Sequence, residues 1–272
     1  MQLGRDYLAF IFVSLLCVSK SSSASTAAQT CVQTVTVSAS DNWPPYSYRV
    51  GDQYHGLDIE ILELVLKNAD LCWRYVSFPS SSRTFEEFKK GKVDVIFAAS
   101  FTQERRRFSE FSVPYRDEVM QLFSHADNPL SPQNALTPTL SFLSKSIVAV
   151  NRGSVYGEAF SRISQQCPDC VVDINLATER FDLLVKKRVD YAVEDLFTGI
   201  YLINRDPYKS RVRVSRLTVH KNPAHYMIRP GLFSEKRLQQ FNLAIIRNQP
   251  AIDALIDLHF QRLLLVSSQA KQ

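Results

Sequence analysis

Glycine is scarce in this chain, with eight among 272 residues. Neither of the glycine-dependent phosphate cradles, GxGxxG and GxxxxGK(S/T), is present, and HExxH and GxSxG are missing too. The usual signatures of nucleotide binding, zinc proteolysis and serine hydrolysis are therefore lacking. Charge of one sign is also in short supply. The 32 basic and 27 acidic residues leave a formal charge of +5, too small an excess for a nucleic-acid footprint. The histidines, at positions 55, 125, 220, 225 and 259, have no metal-ligand spacing, so neither a metal site nor a cofactor is expected. No hydrophobic run approaches the ~20 residues that cross a bilayer.

What remains is ordinary for a globular protein: 45% hydrophobic, 22% charged and 11% aromatic residues. The length allows one large domain or two lobes of about 100 residues each. Residues 1–24 read as an address. Arg5 precedes an apolar run from Leu8 to Val18, then small residues follow, the plan of a secretory signal cleaved after Ala24 or Ala27. The expected mature chain is soluble and exported. It keeps Cys31, Cys72, Cys167 and Cys170, an even number that favours disulfides in an exported protein. For Cys167 and Cys170 a local bridge is preferred over a redox or zinc pair, because no second CxxC or nearby His pair completes a zinc site.

Val35-Thr36-Val37-Ser38-Ala39 alternates as a strand, and the loop Trp43-Pro44-Pro45-Tyr46 forbids helix and central strand alike. Leu57 to Ala69 reads as a helix with one broad apolar side, and Cys72 to Phe78 as a strand. The chain thus opens as βαβ, implying a parallel sheet. Cys31 and Cys72 precede its two strands, so a bridge between them is geometrically reasonable, although spacing alone leaves the connectivity open. An internal echo follows: Phe85, Lys90, Val93 and Asp94 recur at one offset as Phe181, Lys186, Val189 and Asp190. Each copy reads helix, basic turn, buried strand, which suggests two α/β lobes of similar plan.

Both echoed strands end in polar residues, where open α/β sheets bind ligands. The first leads to Ser100, Thr102 and Arg105, the second to Glu194 and Asp195. Thr102 suits a helix N-cap, placing Arg105 in the first turn, where its guanidinium could hold a carboxylate through two parallel hydrogen bonds. Asp195 could receive an ammonium or cap the following helix. Trp43 and Tyr46 could wall a side-chain pocket, and Ser154 with its neighbouring amides could bind a carboxylate or simply cap a helix. Hydroxyls and a guanidinium facing a carboxylate complement a zwitterion, which points to an amino acid.

The chain resembles the periplasmic solute-binding proteins for polar amino acids, receptors of import ATPases. Carrying the resemblance are Trp43-Pro44-Pro45-Tyr46, Gly56-Leu57-Asp58-Ile59-Glu60, Gly91-Lys92-Val93-Asp94, Thr102-Gln103-Glu104-Arg105, Phe111-Ser112-Val113-Pro114-Tyr115, and Val189-Asp190 leading to Asp195. It implies a two-lobe α/β clamshell, each lobe a mixed or parallel sheet flanked by helices. Lobe one would hold 30–116 plus 230–265 and lobe two 126–223, with hinge strands at 117–125 and 224–229. It further implies that Arg105 grips the α-carboxylate with help from Ser100 and Ser154, that Asp195 takes the α-amino group, and that Trp43 lies against the side chain. A periplasmic monomer without enzymatic activity is expected, partnered by an inner-membrane permease or by a membrane sensor. Ser40 stands where some members carry an acid, so a polar uncharged or acidic ligand is expected over a basic one. The fold also resembles cyclohexadienyl dehydratases, whose general acid lies three residues after the equivalent of Asp195. Here that residue is Thr198, which has no proton suited to the task near neutral pH, and strand alternation should aim Glu194 away from Asp195's side.

Overall fold

The alternation at Val35 builds β1 (Gln33–Ser38), with Val35 and Val37 fully buried. The computed structural model of the protein describes residues 31–128 and 140–269; the expected secretory signal lies outside them. Strands β2 (Asn42–Trp43), β3 (Ser47–Val50) and β4 (Gln53–His55) form a small sheet of their own. Helix α1 (Leu57–Asn68) buries the broad apolar side read from its sequence, Ile61, Leu62, Val65 and Leu66 included. It leads to β5 (Leu71–Val76), parallel to β1, and the Cys31–Cys72 disulfide ties the two starts together. Next come α2 (Ser81–Lys89), β6 (Val95–Ser100), α3 (Gln103–Arg106), β7 (Glu110–Phe111) and β8 (Arg116–His125). Beyond residue 139 the chain forms β9 (Val148–Val150), α4 (Gly157–Gln166) and a 3-10 turn closed by the Cys167–Cys170 disulfide. It continues through β10 (Val171–Asp173), α5 (Ala177–Val185), β11 (Tyr191–Asp195), α6 (Leu196–Ile203), β12 (Val212–Ile228), α7 (Glu235–Arg247) and α8 (Gln249–Gln269). Among the described residues no helix is long and apolar enough to cross a membrane.

The main sheet runs β10-β9-β11-β8-β12-β6-β1-β5, with β7 also against β12. Its two ends are parallel triplets of the same plan, each covered by its own helices, and this gives the two α/β lobes. Strands β8 and β12 run antiparallel between them. Along β12, Leu217 and Val219 belong to one hydrophobic core, whereas Ala224, Tyr226 and Ile228 belong to the other. Strand β12 pairs with β8 from Val212 to Ala224 and with β6 from Ala224 to Ile228, and the expected second hinge, 224–229, begins where it passes from one partner to the other. A hydrogen-bonded ladder therefore carries the chain between the lobes.

The echoed motif has a structural cause. Lys90 and Lys186 cap the C-termini of α2 and α5, and Val93 and Val189 are buried. The Asp94 N–H donates to the Thr36 carbonyl (2.8 Å) while its carboxylate accepts from the Thr36 N–H (2.9 Å). Asp190 clasps Ile147 in the same two-bond manner, at 2.9 and 2.8 Å. Each aspartate thus fixes the incoming strand to the first strand of its own lobe.

Helix α8 touches both lobes. His259 Nε2 lies 3.1 Å from Glu60 Oε1 on α1, Phe260 stacks on Phe197 of α6 at 5.2 Å, and Asn204 Nδ2 donates to the Leu263 carbonyl at 2.9 Å.

The start of α1 sets the loop before it. No side chain caps this helix; instead the Leu57 and Asp58 N–H groups donate to the carbonyls of Pro45 and Tyr46, at 2.9 and 3.0 Å. Such an approach requires Gly56, which has φ 122° and where a Cβ would sit 2.4 Å from the Tyr46 carbonyl oxygen. Gly56→Ala should cost about 2–4 kcal/mol of stability, read by chemical denaturation. A wild-type midpoint would contradict the close approach.

Candidate functional site

Strands β6 and β11, one from each lobe, end at a cavity of about 340 Å³, walled by residues of both lobes. That volume falls in the range of small-molecule sites. The chain leaves β6 at Ser100, and Thr102 caps α3, its Oγ1 accepting the Arg105 N–H at 3.1 Å. Arg105 therefore occupies the first turn, as its spacing predicts. Its Nη1 donates to the Ser100 carbonyl at 2.8 Å and its Nη2 crosses the cleft to the Gly153 carbonyl at 3.0 Å. The guanidinium carbon stands 4.8 Å from the centre of the Phe85 ring. Burial lowers the Arg105 pKa, with Glu118 and Glu104 opposing the shift.

Across the cavity, Asp195 realises both readings of its sequence position. Its Oδ1 accepts from the Phe197 and Thr198 N–H groups, at 2.8 and 3.3 Å, capping α6. The same residue lines the cavity. The Tyr46 hydroxyl donates to this Oδ1 at 2.7 Å from the other lobe. Burial lifts the Asp195 pKa to about 6, against the opposing pull of Arg116 and of the Tyr46 hydrogen bond.

The remaining expected residues divide. Trp43, Ser100 and Ser154 line the cavity, and Ser154 Oγ accepts from Asn151 Nδ2 at 2.7 Å. Thr102 does not line it, since its hydroxyl is taken by the helix cap. Tyr46 does not line it either. Its ring packs against Arg116 (4.3 Å), Trp43 (4.7 Å) and Phe197 (5.9 Å), and it borders a second cavity of about 550 Å³ beside the connecting strands.

Three further groups belong to the site. Glu194 lines the cavity beside Asp195, because the strand ends there and Asp195 turns into a cap, breaking the alternation that should separate the two. It forms an ion pair with Arg180 and accepts the Asp195 N–H at 3.0 Å. Thr198 is buried and lines the cavity, and its hydroxyl has no hydrogen-bond partner among the described residues. Glu118, the third residue of β8, is also buried in the wall. It accepts long hydrogen bonds of 3.4 Å from Ser100 Oγ and Asn222 Nδ2, and among the described residues it forms no ion pair. Burial raises its pKa to about 7. A signal for it does exist in the sequence: Arg116, Glu118 and Met120 share one face by strand alternation, and all three are buried.

The family model of the bacterial extracellular solute-binding proteins, family 3, matches residues 35–222. No curated protein matches the chain. Similar solved structures include a mutant of ArgBP from T. maritima, 20% identical, with a TM-score of 0.69 over 84% of this chain and 95% of that one. An arginine 3rd transport system periplasmic binding protein from Legionella pneumophila is 18% identical, with a TM-score of 0.69 over 84% and 99%. A histidine kinase sensor domain with similarity to periplasmic binding proteins is 19% identical, with a TM-score of 0.71 over 85% and 96%. At these identities the likeness establishes the two-lobe periplasmic-binding-protein fold.

Two buried carboxylates set the sign of the pH dependence. Glu118 and Asp195 hold protons more tightly in the folded chain than in the unfolded one, so their contribution is fully present below about pH 4 and is lost as pH rises through 6 and 7. The charges bearing on Glu118 are those of Arg116, Arg105, Asp195 and Asp58. Glu118→Gln should remove a share on the order of 2–3 kcal/mol. Denaturation of ligand-stripped protein between pH 5 and 8 should then show a shallower decline in the variant; equal slopes would refute the burial of this carboxylate.

Proposed function

The chain belongs to the bacterial extracellular solute-binding proteins, family 3, and from that premise we propose that it captures a small amino acid between its lobes outside the cytoplasm and delivers it to an import permease. The observation that carries this reading is that Arg105 of one lobe and Asp195 of the other line one cavity. A carboxylate at the guanidinium and an ammonium at Asp195 would each meet the complementary charge, with the Ser100 and Ser154 hydroxyls beside them. A ligand that touches both walls favours the closed arrangement over an open one. We assign lobe one to 30–116 plus 230–265 and lobe two to 126–223, joined through 117–125 and 224–229, and we take the working form to be a monomer.

The protein acts as a receptor and not as an enzyme. Thr198 holds the position of the dehydratase acid, and Glu194, the other candidate acid, is tied to Arg180. A sensor that presents its closed form to a membrane signalling protein is the second reading, favoured by the likeness to a histidine kinase sensor domain. Neighbouring genes for a permease and ATPase would support transport, and a kinase gene would support signalling.

The test is thermal melting of mature protein, unfolded and refolded to strip carried-over ligand, against the common amino acids. At 100 times its dissociation constant a ligand adds about 2.7 kcal/mol, roughly 5–10 °C for a chain of this size. Arg105→Ala should melt near wild type without ligand and show no shift with it. A wild-type shift in that variant would defeat the site assignment, and no shift of the wild type by any amino acid would defeat the ligand class.

A further inference from the structure

We infer that the ligand carries a second cationic group beyond its α-ammonium and that Glu118 receives it, which makes Glu118 the residue that reads the ligand's side chain. The inference rests on the amino-acid reading above and adds the charge of the side chain to it.

Among the described residues, the charged side chains that line the cavity are Arg105, Arg180, Glu118, Glu194 and Asp195. Arg180 and Glu194 neutralise each other. Arg116, just outside the cavity, is spent on Asp58, its Nε and Nη2 each donating to one carboxylate oxygen at 2.7 Å. Among the described residues Arg105 is thus the cation left to face two carboxylates, Asp195 and Glu118. A zwitterion satisfies Arg105 with its carboxylate and one of the acids with its ammonium. The other acid would then be closed into a protein interior with no counter-charge, an arrangement that is strongly unfavourable. A ligand of net charge +1 closes the count.

Geometry decides which acid takes which cation. Asp195 already sits at a helix start with three hydrogen bonds on Oδ1, at the strand end opposite Arg105. Glu118 lies on the connecting strand and, among the described residues, accepts just two long hydrogen bonds. The hydroxyls of Ser100 and Thr198, one from each lobe, add acceptors in the same cavity for a group with several N–H donors. This reading departs from the expectation of an uncharged or acidic ligand, which did not take Glu118 into account.

The alternative way to neutralise Glu118 is a proton, and two matched ligand pairs separate the cases. L-Citrulline has the shape of L-arginine with an uncharged ureido group; L-norleucine lacks the ammonium of L-lysine. In isothermal calorimetry on ligand-stripped wild-type protein at pH 7.5, the cationic member of at least one pair should bind about 30-fold or more tighter. In Glu118→Gln, which keeps the shape and removes a buried charge, that ratio should fall to about threefold or less. A wild type that binds the neutral member as tightly, or a ratio that survives in the variant, overturns the role of Glu118 while leaving amino-acid binding intact. The wild-type ratio needs no variant, so a folding defect in Glu118→Gln cannot mask the answer. If no amino acid binds the wild type, neutral or charged, the amino-acid reading falls and this inference with it.

Discussion

The buried ion pair between Asp58 and Arg116 holds the site in register. Both residues are almost fully inaccessible, and the guanidinium meets both carboxylate oxygens at 2.7 Å. Asp58 stands at the start of α1, Arg116 at the start of β8, and the pair fixes one to the other. The Tyr115 hydroxyl donates to Asp58 at 2.9 Å and in turn accepts the Ala98 N–H at 3.0 Å, reaching β6 two residues before Ser100. The Tyr46 ring covers Arg116, and its hydroxyl crosses to Asp195. One desolvated charge pair therefore aligns the loop, both strand ends and the hinge. Its worth lies in positioning, since the desolvation of two ions offsets most of their attraction, whereas losing either partner would strand a buried charge.

Much of this was legible in the sequence where the signal is local. Thr102 announces a helix start, and that alone places Arg105 beside the end of β6. The echo of Asp94 in Asp190 pointed to two lobes of similar plan, and the structure shows the same clasp in each. What escaped depends on contacts distant in sequence. Tyr46 and Asp195 are 149 residues apart, and nothing near either one shows that their side chains meet. Glu194 escaped because alternation holds inside a strand and fails at its last residue. Glu118 was readable as a buried position but not as a cavity residue, because its surroundings come from β6 and β12.

The charged groups that line the cleft are already held in place. Arg105 is anchored by carbonyls from both lobes and Asp195 by a helix start, so each presents a fixed group. Fixed groups cost less to order on binding than mobile ones, which lets a small ligand convert more of its contacts into affinity.

The second cavity runs beside both connecting strands: its walls are Arg116, Asp117 and Val119 of β8, Lys221 and Pro223 of β12, Phe197 of α6, and Gln249, Asp253 and Ile256 of α8. Asp195 lines both this space and the first cavity. Helix α8 is braced on α1 through His259 and on α6 through Phe260. A void along two connecting strands is where a change in their course would disturb the fewest packed atoms.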